Sequence, residues 1–119
     1  MYVNTHIHQY IFKTKVLSKP QDILLGMMGK KFTKTFDALL FVMDSSSSAF
    51  WMKNCIVALD VVFIQDNKIT KIHHNCPPCK SITDTCKRYT GVGNLVMEMP
   101  GGTCKYLHIK KGDVVSFVK

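Results

Sequence analysis

From Ala38 to Val118 the apolar residues come in short runs, and almost every run is closed by turn-forming residues. Ala38-Leu39-Leu40-Phe41-Val42-Met43 is short and continuous, as a buried strand is. Leu59 to Ile64 and Lys68 to His73 flank Asp66-Asn67, a hairpin signal. Leu95 to Met99 and Lys105 to His108 flank Pro100-Gly101-Gly102, and Lys111-Gly112-Asp113 turns into a last strand, Val114 to Val118. Ahead of them, Tyr10, Phe12, Thr14 and Val16 alternate on one face of a further strand. Phe50-Trp51-Met52 begins another extended piece, after a polar loop at Ser45 to Ser48. Long helices are excluded by this punctuation.

One helix is expected, near residues 19 to 28. Ser18 serves as its N-cap, Pro20 lies in the first turn and Gln21 closes a capping box. Ile23, Leu24, Met27 and Met28 supply its apolar side, and Gly29 ends it. A strand, one short helix in the N-terminal half and then many short strands predict a mostly β (α+β) domain built on a small curled, barrel-like sheet.

With 119 residues, 46% hydrophobic and 20% charged, the chain has the size and balance of one folded domain, residues 1–119. No apolar run reaches the roughly 18 residues that span a bilayer, so no membrane span is expected. Met1 to His8 has neither a basic start nor an apolar stretch, so no secretory signal is read and an intracellular location is expected. The odd cysteine count of five fits that compartment better than an exported disulfide framework does.

The net charge is +8. Lys13, Lys15, Lys19, Lys30, Lys31 and Lys34 share a stretch with one acid, Asp22, and Lys105, Lys110, Lys111 and Lys119 form a second group. Such a surface suits an acidic partner, whether nucleic acid or protein. Arg88 is the single arginine, which points away from sequence-specific base reading. Lysines that keep a surface soluble and guard strand edges are the plainer reading.

Two constellations carry chemistry. His74, Cys76, Cys79 and Cys86 have the residue types and the Cys-x-x-Cys turn of a Cys3His zinc site, with His73 as the other choice for the nitrogen ligand. A disulfide from Cys86 to Cys76 or Cys79, a reactive dithiol pair, or unpaired thiols are the alternatives. Trp51, Lys53, Asn54, Asp60 and Glu98 form the second set. A carboxylate, an amine and an amide near an aromatic can line a ligand pocket. Against this, Trp51 and Met52 read as core, and Asn54 and Asp60 as partners of turn backbone. Asp60 heads an apolar strand and so needs a donor, for which Lys53 is the candidate; Glu98 is a further partner for Lys53. No nucleophilic triad, phosphate loop or paired catalytic carboxylates can be assembled, so no catalytic residue is assigned.

At Leu25-Gly26-Met27-Met28, Phe50-Trp51-Met52-Lys53-Asn54, Leu59 to Ile64, Met97-Glu98-Met99, Gly101-Gly102 and Gly112-Asp113 the chain resembles domain-of-unknown-function family 192, also catalogued as uncharacterised protein family 0127. The resemblance spans about residues 15 to 118. It implies a compact, barrel-like β domain with a short helix near its start, and no established reaction. Cys55 stands where the family usually has threonine, and the cysteine-rich segment Cys76 to Cys86 is not general to the family. Many members carry an export signal or anchor, and small members without one occur in viruses as well as cells. The leading expectation is a non-catalytic binding or accessory domain with a protein partner. The alternatives are a structural component of a viral particle, found in the virion, and a small-ligand binder or enzyme using Lys53, Asn54, Asp60 and Glu98.

Overall fold

The computed structural model describes residues 1–80 and 85–119. In chain order these form β1 (Tyr2–Ile7), β2 (Tyr10–Leu17), α1 (Pro20–Leu25), β3 (Ala38–Val42), β4 (Ser47–Phe50), β5 (Leu59–Gln65), β6 (Lys68–Cys76), β7 (Tyr89–Val92), β8 (Leu95–Pro100), α2 (Thr103–Tyr106) and β9 (Val115–Val118). Seven strands make one sheet in the order β6-β5-β8-β3-β2-β1-β9, and β4 pairs with β7 as a separate ribbon. Only the β2–β3 pairing in the large sheet is parallel. The sheet curls until its two edges touch: Lys68 bridges to Val114, and Val115 N–H donates to the Asn67 carbonyl at 2.8 Å. The result is a half-barrel.

The curl explains the continuous apolar runs. β3, β5 and β8 are central and are covered on both faces, so period-two alternation is lost in them. One face packs Ile7, Phe12, Leu40, Val62, Met97 and Met99 beneath α2. The other packs Leu17, Leu39, Phe41, Val61, Phe63 and Val96 beneath the β4–β7 ribbon and the chain after α1. Gly91 in β7 lets the ribbon lie flat on β5, because a Cβ there would overlap the Phe63 ring.

Several sequence expectations need correction. The helix is shorter than residues 19 to 28: Lys19, not Ser18, is the N-cap, no side chain caps it, and it ends where Gly26 takes φ 46°. The hydrophobic residues after that point pack as an irregular turn instead of a helix face. Ser47 and Ser48 belong to β4, which ends at Phe50 where an extended piece was expected to begin. The segment Lys105 to His108 is not a strand, since α2 occupies Thr103–Tyr106. β1 and β7 had no counterpart in the sequence reading.

Candidate functional site

Glu98 is the only glutamate in the chain. It stands on β8 opposite Leu39 of β3 and Val61 of β5, on the face covered by α1 and β4. Its side chain is 3% exposed, and no hydrogen bond or ion pair to its carboxylate occurs among the described residues. Burial pushes its pKa up to about 8, from an ordinary value of 4.5. The carboxyl is therefore mostly protonated at neutral pH and offers one O–H donor.

That carboxyl lines a cavity of about 180 Å³. Ile23 and Met27 from α1 and its turn form one wall, Phe41 of β3 and Met43 just after it the back, and Phe50, Trp51 and Cys55 the other wall. Phe41 and Phe50 meet edge to face at 5.0 Å, which fixes the ribbon against β3. Trp51 is half-buried where a core position was the plainer expectation. Lys53 Nζ lies 4.9 Å from its ring centroid, and the Arg88 guanidinium 4.0 Å. Leu24 and Leu25, 69% and 53% exposed, stand on the rim.

The remaining candidates are not gathered at this cavity. Asn54 is exposed, with a left-handed backbone at φ 60° that asparagine tolerates. Its N–H donates to the Cys79 carbonyl and its carbonyl accepts from Gly29 N–H, both at 2.9 Å. The segment thus ties the α1 turn to the cysteine loop. Asp60 faces the other side of the sheet, because its neighbour Val61 is the one paired with Glu98. It is fully buried, and its donors are backbone groups, not Lys53: Asn75 N–H at 2.7 Å, Gly102 N–H at 3.0 Å and Cys104 N–H at 2.8 Å. The carboxylate satisfies donors at the start of α2, and this is why a helix forms where local sequence reads as a strand. Nor does Glu98 pair with Lys53.

The zinc set His74, Cys76, Cys79 and Cys86 is not assembled. Cys79 and Cys86 are joined in a disulfide, one of the alternatives the sequence allowed. Cys76 packs in the core with Phe63 and Tyr89, whereas exposed His74 lines a groove with Cys104 and Ile109. Asn75 at φ 48° sits between them, among bulged pairings. Among the described residues no three metal-ligating side chains cluster. His73 instead bonds the Thr90 carbonyl at 2.7 Å. Burial pushes the thiols of Cys55 and Cys76 up to about 11, and raises Cys104 further with help from Asp60, so all three are poor nucleophiles at neutral pH.

The disulfide has a direct readout. Denatured protein that has not met reductant should titrate three thiols, Cys55, Cys76 and Cys104, and reduced protein five. Reduction should cost about 2–3 kcal/mol of stability for a loop with a sequence separation of 7. Five thiols before reduction would rule the bond out.

Sequence reasoning missed the cavity itself, because it depends on β4 folding over β3. The available signal was a lone glutamate set in the apolar run of β8. It also missed the grouping of Lys71 with Lys105, Lys110 and Lys111 described below, which no local pattern contains.

No curated protein matches the chain. Two solved structures share the fold. One, from Novosphingobium aromaticivorans DSM 12444, is a protein of unknown function with a TM-score of 0.80 and 23% identity, covering 97% of this chain and 83% of that one. The other, from Sinorhizobium meliloti 1021, is described as a "putative transcription regulator", with a TM-score of 0.78 and 23% identity, covering 98% and 92%. A family model described as DUF192, Uncharacterized ACR, matches residues 2–117, reaching β1 beyond the segment that carried the resemblance. By that match over nearly its whole length, the chain belongs to the DUF192 family.

Proposed function

We propose that the protein is a non-catalytic binding domain whose pocket over Glu98 receives one side chain of a partner protein. The observation that carries this reading is a buried carboxyl with no partner among the described residues, at the wall of a mostly apolar cavity. The carboxyl faces the cavity, where a polar atom of an incoming side chain would take the place of water as its hydrogen-bond partner. Size favours a side chain. Small-molecule sites occupy roughly 300–1,000 Å³, whereas an apolar cavity of about 150 Å³ takes a benzene ring, and this one measures about 180 Å³. Apolar walls with one donor suit a side chain with an apolar body and a polar tip, and exposed Leu24 and Leu25 extend the contact outside the cavity. Separation of Asp60 from Glu98 by the sheet weighs against a shared catalytic centre.

The test uses p-cresol as a tyrosine side-chain probe and toluene as its apolar control, followed by amide chemical shifts. Saturable shifts confined to residues such as Met27, Phe50, Trp51 and Cys55 are expected, with p-cresol preferred and that preference lost in Glu98→Leu. Shifts scattered over the surface, no shifts, or equal response to both probes would overturn the reading.

A further inference from the structure

A second concavity lies on the opposite side of the sheet, along the outer edge of β6. After Lys68 and Ile69 meet the chain at 112–115, β6 has no further strand beyond it. Thr70, Lys71, Ile72 and His74 form one bank of a groove of about 520 Å³, and α2 with the turn after it forms the other. Lys105, His108, Lys110 and Lys111 stand on that second bank. A more open depression of about 880 Å³ shares Thr70, Lys71 and Lys111 with the groove and adds Lys68, so the two adjoin along β6.

Five lysines therefore line these two adjoining depressions, which make up a channel along β6, and Asp66 is the only acid among the described residues of its lining. None of the five forms a salt bridge among the described residues. The carboxylates nearest by sequence and packing are engaged elsewhere: Asp113 accepts from Lys110 N–H at 2.8 Å and faces His8 at 2.8 Å, and Asp60 holds the start of α2. Guarding a strand edge accounts for Lys68 and Lys71. It does not account for Lys105, Lys110 and Lys111, which come from a distant helix and turn and converge on the same channel.

We infer that this channel binds the phosphate backbone of single-stranded nucleic acid. Lysine ammonium groups act as point charges for phosphate without the planar fork that reads bases, so binding is indifferent to sequence. From Lys68 to His74 the strand extends about 20 Å, which suits a chain of repeated charges over a single anion. With only four residues, α2 provides no helix to enter a duplex groove.

The experiment measures anisotropy of a labelled oligothymidylate of about fifteen nucleotides against the whole chain, with the matching duplex and polyglutamate as competitors. Binding is expected, with log K falling linearly in log salt at a slope of about −2 to −3.5, as for three to five phosphate contacts on a single strand. Charge reversal at Lys71, Lys105 and Lys110 to Glu should weaken it at least about tenfold more than reversal at Lys13, Lys19 and Lys31. Both triples change the net charge equally, at positions that are all exposed. Glutamine at the same three groove positions should act in the same direction, which separates charge from misfolding. No binding, equal loss in both triples, or stronger competition by duplex or polyglutamate would overturn the inference.

Discussion

Asp60→Ala is expected to lower stability by about 3–5 kcal/mol in urea denaturation, among the largest effects of any single change in this chain. Three backbone N–H groups, on Asn75, Gly102 and Cys104, lose their acceptor together, and the site lies where water does not reach. Asp60→Asn keeps one acceptor oxygen but turns an NH₂ toward donors, so it should recover only part of the loss. Amide exchange should quicken first at Gly102 and Cys104, since α2 depends on the carboxylate. A cost below about 1 kcal/mol for the alanine variant would show that α2 stands without it.

The second large effect is a pH dependence. In the unfolded chain Glu98 titrates near 4.5, and in the folded chain at about 8. Below pH 4.5 both states hold the proton and its burial costs nothing electrostatic. Between these values the unfolded chain releases the proton and the folded chain keeps it, so stability falls as pH rises, by about 1.4 kcal/mol per unit. The total loss by the upper end of the window is on the order of 5 kcal/mol. Cys55 and Cys76, the titratable groups that face Glu98, start from 9.0 and are raised to about 11, so they enter only above it. Glu98→Gln should remove this decline, leaving the histidines to act equally in both proteins. Parallel stability curves for the two proteins from about pH 5 to 8.5 would mean that the folded carboxyl ionises normally.

The parts of the fold legible in the sequence are those decided locally. β5 and β6 could be read because Asp66 and Asn67 both accept a left-handed backbone, with φ of 52° and 62°. β3, β5 and β8 could be read because burial on two faces leaves continuous apolar runs. Other elements are decided at a distance. β1 mixes polar residues on both faces and is held by pairing to β2 and β9. Tyr89-Thr90-Gly91-Val92 holds three good strand formers but is only four residues long and broken by a glycine, and β7 is placed where Gly91 fits against Phe63. At the site, Asp60 and Glu98 could each be singled out as polar residues in apolar runs. Their partners could not: Lys53 was the natural cation for both, and the structure gives Asp60 three amides and Glu98 no partner among the described residues. The bulged register of β6 and its left-handed Asn75 are likewise invisible locally, and they send His74 and Cys76 to different surroundings.

Glu98 at the wall of an apolar pocket, buried and without a partner among the described residues, is the claim on which the binding reading depends. Because it is the only glutamate, protein labelled with ¹³C at the glutamate carboxyl gives a single resonance. Followed through a pH series, that signal should titrate with a midpoint near 8 and move to a different midpoint when p-cresol is added. A midpoint near 4.5, unmoved by the probe, would contradict the account.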